Sequence, residues 1–332
     1  MRPTGSAAIY RPDLGQVVME YEEGPTMAFI GLQIMPVFPT ALQSATYPVI
    51  PKEALLKLAT TDRAPRGTYG RDDWEYERGT YATTEQGFEE PVDDVEREMF
   101  SQEAPGMADE VAVIRAWNKI MRNQEVRIKD KVQDAVTFSA NSVTNEWDDA
   151  ANATPIDDVK DGIKGFRLQC GMLPNVLQIA FSTFQDLQVC DQIVDQLKYT
   201  FPGIDVTNMT SKQLAHLFGV DQVLVGGGVY DSTKKGQDTT IADIWSNEYA
   251  SLLKVSPGMD LTSPSFGRTF LWTADSPQNP VVETYREEKR RSDIYRVRHH
   301  VSEEIIASKN SSGTVVSNIG AACHYLFDNI TT

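Results

Sequence analysis

The chain has 332 residues and a mass of 37.0 kDa, with 41% hydrophobic and 23% charged residues and a formal net charge of −16. This permits two packed domains, or one large domain with extensions, and argues against a surface that clamps nucleic-acid phosphates. Three cysteines (Cys170, Cys190, Cys323) form neither a disulfide framework nor a zinc spacing, which fits synthesis in a reducing cytosol; residues 1–23 lack a signal-peptide core, and no run approaches the ~20 apolar residues of a membrane helix.

Residues 1–50 are punctuated by Pro3, Pro12, Pro25, Pro36, Pro39 and Pro48. Such a segment makes neither a central strand nor a long helix. Its apolar clusters (Phe29-Ile30, Ile34-Met35, Val37-Phe38) make it too apolar for a disordered tail. An extended arm is expected, lying on its own domain or on a neighbouring subunit.

Residues 52–92 predict a long two-stranded excursion. One strand is expected over 55–62, and the return runs through Trp74, Tyr76 and Arg78 to Tyr81 and Thr83. Trp74 and Tyr76 alternate with Glu75 and Glu77 at the period of a strand with one covered face. Between the strands Pro65, Gly67 and Gly70 form turns, and Arg63, Arg66 and Arg71 make a basic tip in an acidic chain. A lone hairpin is marginal in water, so this one either packs on a partner or is a solvated loop. The carboxylates of residues 89–98 (Glu89, Glu90, Asp93, Asp94, Glu96, Glu98) read as a solvated or inter-subunit face.

Residues 107–136 predict one helix. Val111, Ile114, Trp117, Met121, Ile128, Val132 and Ala135 form its apolar stripe, and Asp109 can cap it after Pro105-Gly106. Thirty residues of helix would be about 45 Å long, roughly three times the mean. Such a spine is expected to lie under the late strands, with Trp117 and Met121 facing them. Glu125 falls on the apolar face, and a buried acid needs a partner, either a cation in an ion pair or a backbone donor from a crossing element.

Beyond it, Pro155 opens a helix that stops at Gly171, residues 176–181 read as a strand, and 183–198 as one helix. Ser211 caps a short helix, 220–225 is an apolar strand, and 249–255 is another. This block is a compact mixed domain. Residues 281–307 suggest two extended strands around the mixed-charge turn 286–293, and 315–330 a last element docked on a core.

Chemical motifs are weak. Gly226-Gly227-Gly228 follows a strand but lacks phosphate-loop spacing, and a sharply bent strand end explains it as well. His299 and His300 point to opposite faces of a strand and cannot share a metal. No catalytic, cofactor or metal residue is assigned.

The order of parts resembles the HK97-fold major capsid proteins of tailed bacteriophages. The residues that carry the resemblance are Met35-Pro36-Val37-Phe38-Pro39 through Tyr47-Pro48-Val49, Arg63-Ala64-Pro65 through Tyr81-Ala82-Thr83-Thr84-Glu85, and Trp147-Asp148 with Thr154-Pro155-Ile156-Asp157-Asp158-Val159. Gly171-Met172-Leu173-Pro174-Asn175, Phe218-Gly219-Val220 to Gly228, and Ser265-Phe266-Gly267-Arg268-Thr269-Phe270-Leu271-Trp272 continue in the same order.

The resemblance implies an α+β, HK97-like capsid fold. Its parts would be an N-terminal arm (1–50), an extended β-hairpin loop (51–92), a peripheral domain with the spine helix (93–156 and 279–311) and an axial domain (157–278 and 312–332). It implies a non-enzymatic subunit that self-assembles as pentamers and hexamers into an icosahedral shell. Such a shell encloses packaged double-stranded DNA in a virion, without sequence-specific binding, and assembles in the host bacterial cytoplasm. With only about fifty residues before the loop, a separate scaffolding protein is expected, with a portal protein and a decoration protein as further partners, and no membrane. Arg63, Arg66, Arg71, Trp74, Lys289, Arg290 and Arg291 are the inter-subunit contact candidates, and Glu125 the structural buried acid. The alternatives are an encapsulin-like nanocompartment shell protein and, in another class, an α/β enzyme using the Gly226–Gly228 turn.

Overall fold

The computed structural model describes residues 8–11, 14, 29–49, 58–59, 61–71, 77–103, 107–200, 209–234, 236–256, 263–277, 279–306 and 323–331. The N-terminal part holds β1 (Ile9–Tyr10), the helical turn α1 (Gly31–Ile34), β2 (Val37–Thr40) and β3 (Ser44–Val49). Then come β4 (Glu77–Ala82), β5 (Thr84–Asp93), α2 (Asp94–Glu103), α3 (Met107–Val132) and β6 (Ala140–Ser142). The middle block is α4 (Pro155–Cys170), β7 (Val176–Ala180), α5 (Phe181–Val189), α6 (Asp191–Thr200), α7 (Ser211–Phe218), β8 (Gln222–Gly226), β9 (Val229–Asp231), β10 (Ile241–Asp243) and β11 (Ala250–Leu253). The chain ends with β12 (Gly267–Trp272), β13 (Val281–Glu287), β14 (Ser292–Ile305) and β15 (His324–Asp328).

β14 is the axis of the first sheet. Tyr295, Val297 and His299 point to one face and Arg296 and Arg298 to the other, the period-two pattern of a half-covered strand. β12 and β13 follow one another along one edge, from Gly267↔Ile305 to Leu271↔Val301 and from Val281↔Arg298 to Glu287↔Ser292. β5 covers the opposite edge from Ser292↔Asp93 to Val301↔Thr84. β1 pairs with β13, and β2 lies parallel to β12 at the sheet margin, where Pro39 can be accommodated.

The second sheet has the order β6-β15-β11-β7-β8. β7 and β11 are buried throughout, so they read as near-continuous apolar runs, each holding one buried polar residue (Gln178, Ser251), rather than as alternating ones. Helices α4, α6 and α7 cover one face through Phe166, Ile193, Leu214 and Phe218. α4 follows the expected chemistry, with Pro155 at its start, Asp157 and Asp158 in its first turn and Gly171 left-handed at its end (φ 71°). The single helix expected over 183–198 is two helices, because Cys190 is extended (ψ 125°) and the amide of Asp191 donates to the carbonyl of Ala150. α7 is capped by Thr210, in a reciprocal box with Gln213, rather than by Ser211.

α3 explains its own length. Its first half packs Val113, Ala116, Trp117 and Ile120 under Val92, Val282, Tyr295 and Val297 of the first sheet. Its second half packs Ile128 and Val132 against Ile34, Val176, Leu224, Trp245, Leu253 and Leu326 beside the second. A helix shared by two cores must span both, and 26 residues give about 39 Å.

The buried stripe departs from the expected one. Ala112, Ala116, Gln124 and Glu125 are buried, Val111 and Ala135 are exposed, and Ile114 is half-buried. The helix ends at Val132, not at 136, where the Asp134 carboxylate accepts the amides of Val136 (3.0 Å) and Thr137 (3.3 Å) and so closes a turn.

The hairpin also differs. β4 pairs with β3, from Ser44↔Ala82 to Val49↔Glu77, upstream of the strand expected over 55–62. Of that span only residues 58–59 and 61–62 are among those described, and none is in a strand.

Candidate assembly surfaces

The β3–β4 hairpin is anchored at its base. Tyr47 and Tyr81 stack on Phe270 of β12, with ring centroids 5.6 and 4.2 Å away. Gly79 permits this, since a Cβ there would lie 2.4 Å from the Tyr47 ring carbon Cε2. Beyond the base, residues 61–71 are exposed almost throughout. Ala64 to Gly67 form a turn closed by a 2.9 Å amide–carbonyl bond, with Arg66 left-handed (φ 70°) where glycine is the favoured residue. Arg63 braces this tip itself. Its Nε donates to the Gly67 carbonyl (2.7 Å), and its guanidinium lies 4.7 Å from the Tyr69 ring centroid. Arg66, Arg71 and Tyr69 (70% exposed) face outward. Trp74 lies outside the described residues.

The turn between β13 and β14 sorts its charges into an inner and an outer set. Residues 286–293 do not present all their charges outward. Arg286 clamps Asp94 with two bonds (2.7 and 2.8 Å) and donates to the fully buried Asp293 (3.0 Å). Arg97 of α2 meets Asp293 from the other side and also pairs with Asp109 (2.9 Å) and the Tyr295 hydroxyl (3.1 Å). This network fixes α2, the start of α3 and the turn as one block. Lys289, Arg290 and Arg291 remain exposed on the outside; Arg290 sits 3.5 Å from Glu287 and Arg291 3.9 Å from Asp94.

The carboxylates of residues 89–98 are correspondingly not one solvated face. Glu90 is buried and holds Arg115 (2.9 Å) and Lys119 (3.1 Å) of α3. Glu89 accepts from Arg296 (2.7 Å), and Asp93 accepts the Val95 amide at the start of α2 (2.8 Å). Glu96 and Glu98 are exposed. So are Val95 and Met99, at 59% and 67%. This apolar pair was overlooked in the sequence; its i,i+4 spacing on an otherwise acidic helix was the available signal.

Glu125 is buried, 3% exposed, and among the described residues no cation forms an ion pair with it. It accepts the backbone amides of Ile30 and Gly31 (2.9 Å each) and the indole N–H of Trp245 (2.7 Å). Burial pushes its pKa up, and these three bonds pull it down by less. Its surface is not the one under the late strands. Trp117 does lie there, edge-on to His299 (5.3 Å), with Met121 packed against the same cluster, whereas Glu125 holds the N-terminal segment and the Trp245 loop.

The glycine turn has a packing role. A Cβ at Gly226 would fall 2.4 Å from the Trp245 ring, and one at Gly228 2.9 Å from that of Phe29, so these two glycines make room for the packed rings. His299 and His300 face opposite sides of β14; the first meets Asn279 (3.2 Å) and Trp117, the second Thr83 (2.9 Å) and Trp272. Among the described residues no cluster of His, Cys, Asp and Glu could hold a metal ion, and no helix is long and apolar enough to cross a membrane.

No protein-family model matches this sequence, and no curated protein matches it significantly. Solved structures do. A phage-related protein from Bordetella bronchiseptica RB50 is similar over 98% of both chains, with a TM-score of 0.68 and 20% identity. A virus-like particle from Pyrococcus furiosus covers 96% of this chain and 98% of its own, with a TM-score of 0.54 and 10% identity. The mature capsid of bacteriophage PhiM1 covers 88% and 85%, with a TM-score of 0.51 and 12% identity. The chain therefore has the mixed α+β, HK97-like fold that its sequence resembles.

Proposed function

We propose that this chain is a major capsid protein that self-assembles into the icosahedral shell enclosing the packaged double-stranded DNA of a tailed phage. The observation that carries this reading is the likeness over nearly the full length to a phage-related protein and a mature phage capsid, with no large part of the chain left for another activity. The hairpin tip supports it, because residues 61–71 extend from the body without a core of their own. The net charge of −16 fits a shell that must surround DNA without clamping it.

In this reading β13 and β14 with α2 and α3 belong to the peripheral domain (93–156 and 279–311), and β7 to β11 and β15 with α5, α6 and α7 to the axial domain (157–278 and 312–332), while β12 (267–272) joins the sheet of β14 and β6 (140–142) that of β15, across this division. Residues 1–50 form the arm, and the loop of 51–92 turns back at Thr83, since β5 belongs to the peripheral sheet. The shell assembles from pentamers and hexamers in the host cytoplasm with a separate scaffolding protein, a portal and a decoration protein.

Negative-stain electron microscopy of the purified chain tests the reading: closed particles are expected, and monomers or small discrete oligomers under all assembly conditions, scaffolding protein included, would overturn it. Particles that contain DNA when recovered from infected cells are the expected form; particles that carry an enzyme instead would identify a nanocompartment shell. Arg66 and Arg71 are the tip contacts, and deleting 65–71 is expected to abolish normal particles while leaving a folded monomer by circular dichroism.

A further inference from the structure

The block formed by α2 and the β13–β14 turn carries two exposed features side by side. One is an apolar ridge on α2. Val95 and Met99 lie one turn apart on the outer face, 59% and 67% exposed, with Glu98 on one flank and Glu96 on the other. The other is the basic turn Lys289, Arg290 and Arg291, all exposed. The two are held together. The Asp94 amide donates to the Arg291 carbonyl (3.1 Å), and Arg97, on the inner side of α2, pairs with the buried Asp293 behind the turn. The buried network of Arg286, Asp94 and Asp293 makes this presentation rigid.

A surface with an acidic, apolar ridge beside a basic turn is complementary to itself but not by direct overlay. The turn of one copy meets the ridge of the next, an arrangement satisfied either reciprocally about a two-fold axis or head-to-tail around a ring. Opposite charges on the two halves fix the register of such a contact. We propose that the outer face of α2 (Val95, Glu96, Glu98, Met99) is the acceptor for the Lys289–Arg291 turn of a second copy of this chain. The aliphatic stems of Lys289 and Arg290 cover Val95 and Met99, while their charged ends reach Glu96 and Glu98. The inference rests on the assembly reading above and names the partner surface that those three basic residues meet.

The test is a charge swap. In K289E/R290E/R291E the assembled fraction is expected to fall at least tenfold, and adding E96K/E98K in the same chain is expected to restore it. E96K/E98K alone should fail like the first set. All five positions are exposed, so circular dichroism of each variant should match the parent. Full assembly of K289E/R290E/R291E, or no restoration in the combined variant, overturns the proposal.

A crosslink separates this proposal from the shell reading. The three native cysteines are buried, so M99C chains mixed with R290C chains should join as heterodimers under mild oxidation. Closed shells without that crosslink would leave the shell reading standing and overturn this contact. The crosslink in a protein that never closes a shell would support the contact and overturn the shell reading.

Discussion

Two buried histidines set the acid response of the folded chain. Burial lowers the pKa of His299 to about 4, helped by the charge of Arg127, and that of His324 to about 3. Both lie below the ordinary 6.5, so the unfolded chain binds these protons first as pH falls. Stability is therefore full above about 6.5 and is lost from there down towards about 4 and about 3, by about 1.4 kcal/mol per pH unit for each histidine. Urea midpoints between pH 7 and 5 should show this slope, and H324Q should remove about half of it. Glu125 acts with the opposite sign. Its folded pKa is raised, so its contribution is present at low pH and is lost as pH rises through that raised value. Glu125→Ala strands the amides of Ile30 and Gly31 and the indole of Trp245, and is expected to cost about 3 kcal/mol by urea denaturation. Gly31→Ala tests the same junction from the other side. Its Cβ would fall 2.5 Å from the Glu125 carboxylate and 2.8 Å from Ile128, so a loss of about 2 kcal/mol is expected in the same assay. That Glu125 would be buried was legible from its place in the stripe. Its partners were not, because the nearest donor is 94 residues away along the chain and two of the three belong to the backbone, which leaves no side-chain signal.

Among the elements, α2 and the β13–β14 turn form the unit most open to test. Removing Asp293, fully buried between Arg97 and Arg286, leaves two cations without their shared partner. Asp293→Ala is expected to destabilise the monomer by about 3 kcal/mol and to loosen α2, seen as faster amide exchange over 94–103. Lys289→Ala, on the solvent side of the same turn, should change monomer stability by less than about 0.5 kcal/mol. The charge pattern of 286–293 identified a turn between two strands, but it could not sort inward from outward charges. The sorting depends on Asp94 and Arg97, which reach the turn only through the pairing of β5 with β14. The outgoing strand of the hairpin was misplaced for a related reason. Pro48 argued against a strand over Ser44–Val49, yet a two-stranded ribbon is all edge and tolerates it.

At the scale of the whole molecule, α3 belongs to both cores, so neither can unfold without stripping the other of its covering helix. A single calorimetric transition is expected for the monomer, and two resolved transitions would show that the cores separate. The layout of arm, hairpin, spine and mixed block was legible because each part has its own period or punctuation. The sharing of α3 was partly hidden, because Ala112 and Ala116 do not register as apolar stripe residues although they allow close approach to the first sheet. The order of strands has one further consequence, for synthesis. Among the described residues β6 meets its sheet through β15 alone, at His324–Asp328, and β5 meets its own through β14 alone. Both sheets therefore stay open until β14 and β15 have left the ribosome. The apolar faces of β7 and β11 and of α3 must wait in a partly folded state, and folding is governed by contacts far apart in sequence. A chain released before His324 would lack the interior strand β15 and accumulate as an aggregation-prone intermediate rather than as a smaller version of the same protein.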